Sequence, residues 1–245
     1  MKILLHAHTT YSHDGRLSPP DLAALARSKG FDAILISDHY EDLDEDSFGR
    51  LVRDCEAVDG CLLVPGYEKD WSGFHLCAFG VDRWIVDEQM GSWSAKVREA
   101  GGIVCLAHPG RYRHKVPERI LAVCDAVEIW NSKRPYDGIL GPHPDAYALL
   151  GDRLALVGQD LHRTRDATTL GIVVQDARTG REIITAIKER RYRSSSRVFS
   201  FRAPPALVGG ALRLIHPVRR GMWFPLVKTY RLLRRLGAAG RGART

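Results

Sequence analysis

The stretch His6-Ala7-His8-Thr9-Thr10-Tyr11-Ser12-His13-Asp14-Gly15 constrains this chain more than any other, because it stands directly behind the apolar run Met1-Lys2-Ile3-Leu4-Leu5. An apolar run that short reads as a buried strand. His6 and His8 fall at its end, two residues apart, which sends both side chains to one side of an extended strand. Asp14 follows after a polar segment closed by Gly15. Two imidazoles and a carboxylate at a strand terminus form a metal-ligand pattern, since neutral His and ionised Asp are ordinary donors to zinc, manganese or iron. The competing reading of a single His-x-His is a pair of histidines satisfying a strand end. The rest of the chain decides between them.

Short apolar runs recur at 33–36, 61–64, 74–79, 103–107, 126–130 and 154–157. Most intervals carry helix-like segments. Ser18-Pro19-Pro20-Asp21 introduces one that stops at Gly30, Phe48, Leu51, Val52 and Cys55 mark another, and further ones fall at 92–100, 117–123 and 145–150. Strand and helix in alternation, with strands apolar on both faces, predict an α/β fold with a mostly parallel sheet. About seven runs suit a closed or distorted (β/α) barrel, with an open sheet as the alternative that pattern alone leaves standing.

The donor residues fall beside these runs. His39 ends the second, Glu68 follows the third, His75 begins the fourth, His108 ends the fifth, and Asp160 and His162 follow the last. In parallel barrels, functional groups collect at the C-terminal ends of strands, where loops shape one site. A core histidine is a fair reading of any one of these positions and a poor reading of the set. His13 and His216 stand outside the pattern. His114 and His143 read as surface residues, with His143 able to line a loop near the site.

In order, HAHTTYSHDG, Ile36-Ser37-Asp38-His39, Glu68 with His75, His108-Pro109, Glu128-Ile129-Trp130-Asn131 and Asp160-Leu161-His162 resemble the PHP (polymerase and histidinol phosphatase) family of metal-dependent phosphoesterases, over roughly residues 1–190. The resemblance implies a distorted (β/α)7 TIM-like barrel holding two or three divalent ions (Zn, Mn or Fe) at the C-terminal ends of its strands. It implies that His6, His8, Glu68 and Asp160 hold one metal, Glu68, His75 and His108 a second, and Asp14, His39 and His162 a third. Many members carry His where Asp14 stands and Ser where Gln159 stands. The large inserted domain of some nucleotide-hydrolysing members has no counterpart here.

The implied function is hydrolysis of a phosphate ester of a small molecule by a metal-bridging hydroxide, with clustered cations neutralising the phosphoryl oxygens. Arg111 and Arg163, close behind His108 and His162, are candidate phosphate contacts. Asp38 is a candidate to orient a ligand imidazole, and Trp130 and Asn131 to wall the substrate side. Two alternatives stay open: hydrolysis of a non-phosphate ester or carbamate on the same scaffold, and a non-catalytic binding module.

The net charge of +7 is unevenly placed. From Arg197 onward there are eleven Lys and Arg and no Asp or Glu, while 1–196 holds 25 basic and 29 acidic residues. The division expected is thus a PHP domain at 1–196 and a basic tail at 197–245. A run of apolar and basic residues at 224–236 has near-helical spacing, suited to packing on the body, to an anionic membrane surface or, less well, to nucleic acid. Five cysteines without a CxxC pair imply no disulfide framework. No stretch reads as a signal peptide or a membrane span, and the expectation is a cytoplasmic protein.

Overall fold

The N-terminal apolar run forms strand β1 (Lys2–Ala7), buried from Ile3 onward. It is followed by β2 (Ala33–Ile36), β3 (Asp38–His39), β4 (Leu62–Val64), β5 (Gly66–Trp71) and β6 (Phe74–Phe79). The later strands are β7 (Ile103–Leu106), β8 (Ala126–Asn131), β9 (Leu154–Gly158), β10 (Gly171–Val174), β11 (Tyr192–Ser195) and β12 (Ser200–Phe201). Helices are α1 (Pro19–Ser28), α2 (Glu45–Glu56), α3 (Met90–Glu99), α4 (Glu118–Leu121), α5 (Pro144–Ala148) and α6 (Gly180–Lys188). The structure is a computed structural model and describes residues 1–133, 137, 141–196 and the backbone of 200–201. The chain divides into two units, Met1–Pro205 and Ala206–Thr245. Apart from β12, the basic segment 197–245, with its candidate helix at 224–236 and His216, lies outside the described residues.

Local sequence explains the helix starts. Ser18 caps α1, its hydroxyl accepting from the Asp21 amide, and proline sits where the missing N–H costs nothing. Capping boxes close the first turns of α2 (Asp44 with Ser47) and α6 (Thr179 with Glu182). The helices lay apolar faces on strands buried on both sides, so Leu35, Ile36, Leu76, Val104 and Leu156 are inaccessible to solvent. Each such side chain contributes about 1.5–3 kcal/mol of transfer free energy.

Among the described residues the strands make a mixed α/β fold of two six-stranded sheets, ordered β12-β11-β10-β1-β2-β4 and β3-β5-β6-β7-β8-β9. Parallel pairings join β1–β2, β2–β4, β3–β5, β7–β8 and β8–β9. Five others, β1–β10, β10–β11, β11–β12, β5–β6 and β6–β7, are antiparallel. The expected mostly parallel sheet is therefore corrected to a mixed one, and strand pairing does not define a ring of seven. One cause is local: Ser72 and Gly73 (φ 58° and 85°) make the two-residue turn that folds β6 back along β5.

That reversal places the site. His75 enters at the start of β6, so it lies at the same end as the exits of the parallel strands around it. The Ala107 amide donates to the His75 carbonyl at 3.0 Å, bringing His108 alongside. Past β9, the Gln159 amide donates to Leu5 O, the Leu161 amide to His6 O and the His8 amide to Leu161 O, at 3.0, 3.1 and 2.8 Å. The exit of β9 thus runs beside that of β1.

Candidate metal centre

His6 does not leave β1 in simple alternation. Register with β2 shifts between Leu5 and Ala7, and His6 has a left-handed backbone (φ 65°). The His6 and His8 rings still converge, 5.3 Å apart, but a bulge brings them together. The following loop is fastened by buried Asp38, which accepts from the Thr9 amide, the Thr9 hydroxyl and the Ser12 hydroxyl, each at 2.7 Å. Burial pushes the Asp38 carboxyl up, and these three bonds work against that. Ser12 Oγ also accepts from the His39 amide at 2.8 Å and lies 3.4 Å from His8 Nδ1. Asp38 thus reaches the imidazole of His8 through Ser12.

The donors close around Glu68. Its Oε1 lies 3.4, 3.1 and 3.1 Å from His6 Nε2, His75 Nδ1 and His108 Nε2. Its Oε2 lies 3.8 Å from His8 Nε2 and 3.3 Å from His39 Nδ1. Asp160 turns Oδ1 toward His6 Nε2, His8 Nε2 and His162 Nδ1 at 3.5, 3.4 and 3.3 Å. Asp14 bridges His39 Nε2 and His162 Nε2 at 3.3 and 2.9 Å. Four overlapping groups bring their donor atoms within 4.8 Å: His6, His8 and Glu68; His6, His108 and Asp160; Glu68, His75 and His108; and His8, Asp14, His39 and His162. The nine positions singled out in the sequence are all present. The third group repeats the implied second set, and the last adds His8 to the implied third set.

The residues fit divalent cations. His6 Nε2, His8 Nε2 and His75 Nδ1 are buried and form no hydrogen bond among the described residues. Such atoms cost about 1–3 kcal/mol each when left unsatisfied. Burial holds His8 near a pKa of about 3, so its imidazole is neutral and able to donate a lone pair. Burial also opposes charge on Glu68 and Asp160. The surrounding imidazoles outweigh it, with Lys133 assisting at Asp160, and keep both carboxyls well below their usual range. Burial would lower His6 and His39 too, but nearby carboxylates win and raise both. For His6 these are Glu128, Glu68 and Asp160, because the adjacent Cys77 thiol is pushed by burial to about 12 and stays neutral. His162 is lowered, by burial first.

Behind the donors lies a support that the sequence quoted without a role. Glu128, fully buried, accepts from His6 Nδ1 at 2.8 Å, from the His108 amide at 2.7 Å and from Asn131 Nδ2 at 2.9 Å. Asn131 accepts the Lys133 amide on Oδ1 at 2.9 Å, and its own amide donates to Asp137 at 2.9 Å. Asn131 thus braces Glu128, and Trp130 is buried among the core side chains. Lys133, absent from the sequence reading, brings Nζ to 2.8 Å from Asp160 Oδ2. An acid inside the apolar run 126–130 was the visible signal for Glu128. Lys133 left none.

The remaining candidates are not part of the four donor groups. Arg111 and Arg163 are exposed and make no ion pair among the described residues. The Arg111 amide donates to His108 O at 2.8 Å, which keeps that residue near the cluster. His13, read as outside the pattern, stacks on His39 at 5.5 Å and bonds Asp42 Oδ2 through Nδ1 at 2.7 Å. His114 and His143 stack at 4.2 Å, with Asp145 beside them. The five cysteines are buried and unpaired as disulfides, and no helix among the described residues is long and apolar enough to cross a membrane.

Residues 5–99 match the family model of the PHP domain, a span that holds six of the nine donors, His6 to His75. The resemblance read from the sequence motifs is therefore shown over residues 5–99, less than half of the chain. No curated protein matches. Among solved structures, the chain is similar to one from Bifidobacterium adolescentis, described provisionally as a metal-dependent phosphoesterase. That likeness is 18% identity and a TM-score of 0.48, over 66% of this chain and 88% of that one. It is also similar to an amidohydrolase from Chromobacterium violaceum with bound sulfate and no metal, at 15% identity and a TM-score of 0.48, over 76% and 97%. The PHP match and the donor cluster together support a metal-dependent hydrolase.

Proposed function

We propose that residues 1–196 form a phosphoesterase that hydrolyses a phosphate ester of a small molecule with two or three bound divalent ions, of zinc, manganese or iron. The observation that carries this reading is the convergence of nine His, Asp and Glu donors, five of them imidazoles around Glu68, with imidazole nitrogens buried and unbonded at the centre. The barrel-like closure implied by the resemblance belongs to the same proposal, supported by the bonds that lay the exit of β9 beside β1.

Divalent cations held by this cluster would supply Lewis acidity for a phosphoryl oxygen and would acidify water toward neutral pH. The chain arranges the rest. Glu128 accepts a hydrogen bond from His6 Nδ1–H and so leaves the Nε2 lone pair facing Glu68 and Asp160. His162 donates Nδ1–H to the Asp160 carbonyl at 3.0 Å, leaving Nε2 toward Asp14. Glu68 touches donors of every group and is the residue best placed to be shared between ions. Arg111 and Arg163 are proposed to meet the phosphate at the mouth, as bidentate donors.

The test is metal analysis of chelator-free protein, followed by hydrolysis of p-nitrophenyl phosphate with added manganese by wild type and His8→Ala. More than one equivalent of metal, with activity lost in His8→Ala, is expected. Metal-free protein inactive under supplementation would overturn the proposal. Carboxylic esters and carbamates in the same panel separate phosphate from carbonyl hydrolysis.

A further inference from the structure

We propose that the Lys133 ammonium is an anion-binding point of this site, holding one oxygen of a tetrahedral oxyanion beside the metals; the inference rests on the metal-site reading above. Lys133 Nζ contacts Asp160 through Oδ2, at 2.8 Å, whereas the neighbouring imidazoles of His6, His8 and His162 face Oδ1. The two oxygens divide the work, so a cation on the Oδ1 side does not require the ammonium to leave.

Nζ also lies 3.1 Å from His162 Nδ1. When that nitrogen carries a proton it donates to the Asp160 carbonyl, at 3.0 Å, and accepts nothing from the lysine. An ammonium has three N–H donors. With one spent on Asp160 Oδ2, two are left for a ligand when His162 Nδ1 carries its proton, and one when it does not. The Lys133 side chain is 28% exposed while Asp160 is 4% exposed, so the ammonium stands at the boundary between the buried carboxylate and solvent. It is held there from behind, since its amide bonds Asn131, which is braced by Glu128 and Asp137.

A positive charge in this position has little to offer a neutral substrate and a direct contact to offer a phosphoryl oxygen. It also counters the carboxylate of Asp160, which would otherwise repel an incoming dianion. Lys133 is therefore assigned to recognition of the anionic group, and the metal donors to holding the cations.

The experiment uses the full chain loaded with manganese, its metal content measured first, and inorganic phosphate as the calorimetric probe. Lys133→Met is expected to keep the wild-type metal content and to bind phosphate about 10- to 100-fold more weakly, the loss of one charge-assisted hydrogen bond. Lys133→Arg, which keeps the charge, is expected to recover most of that loss. Unchanged phosphate affinity in Lys133→Met would overturn the assignment. So would reduced metal content in that variant, which would make the lysine a support for Asp160 instead. A wild type that binds phosphate through Lys133 but cleaves no phosphate ester would leave this inference standing and remove the phosphoesterase reading.

Discussion

Glu128 holds His6 by its Nδ1 proton at 2.8 Å, and with its other oxygen holds the backbone amide of His108 at 2.7 Å. One carboxylate thereby fixes the tautomer of one proposed metal donor and the backbone of another. Replacement by glutamine keeps the shape but turns one accepting oxygen into an NH2 group that faces either His6 Nδ1 or both the His108 amide and Asn131 Nδ2. Glu128→Gln is expected to weaken metal binding about 10- to 100-fold. Competition with a chromophoric chelator measures this, and an unchanged dissociation constant would contradict the role.

Gly158 makes room for that carboxylate. A Cβ there would lie 2.0 Å from Glu128 Oε1 and 2.6 Å from its Cδ. Gly158→Ala must therefore displace Glu128 or β9, at a cost of about 1–3 kcal/mol for overpacking. Thermal melts should show a lower Tm, by about 2–4 °C per kcal/mol, accompanied by metal loss. A variant that melts and binds metal like wild type would show that the two strands can move apart freely.

Metal loading should release protons at neutral pH. His6 and His39 are raised in the metal-free protein, so they carry protons at a pH where an ordinary imidazole has begun to lose them. Cations need neutral imidazoles. The sign follows: affinity rises with pH across the neutral range until these histidines are deprotonated, with no contribution from His8, already lowered to about 3. Calorimetry in buffers of different ionisation enthalpy should give enthalpies that depend on the buffer. Equal enthalpies would rule out proton release.

Asp38 fastens the loop between the first donors and Asp14 through three buried bonds. Asp38→Ala leaves the Thr9 amide and the donated hydrogens of the Thr9 and Ser12 hydroxyls without this acceptor, and is expected to cost about 2–5 kcal/mol of stability. Urea unfolding of the metal-free protein reads this directly. A change below about 0.5 kcal/mol, the scale of an ordinary surface substitution, would show that the loop is held by other contacts.

Much of the donor set was legible before any fold was known, because its members stand at the ends of short apolar runs, where a strand delivers its last side chain to a loop. His39, His108, Asp160 and His162 follow this rule. The paths by which they arrive were not legible. His75 reaches the site on a strand that runs the other way, and only the Ser72–Gly73 turn and the pairing of β6 with β5 and β7 reveal it. The mostly parallel arrangement was read from alternation alone, which does not register such a hairpin.

The outer support was hidden for a different reason. Glu128 lies 122 residues from His6 and 20 from His108 in sequence, and Lys133 meets His162 across 29. Left-handed backbones at His6, His108 and Asp160, each about 1–3 kcal/mol above an ordinary conformation, were likewise invisible. Sequence by itself determined the chemistry, since donor types and their place beside apolar runs are properties of the chain. Tertiary structure decided which donors share an ion-sized space, which carboxylate orients them and where the lysine stands. Those depend on long-range hydrogen bonds and local backbone strain, and neither is written in the spacing of residues.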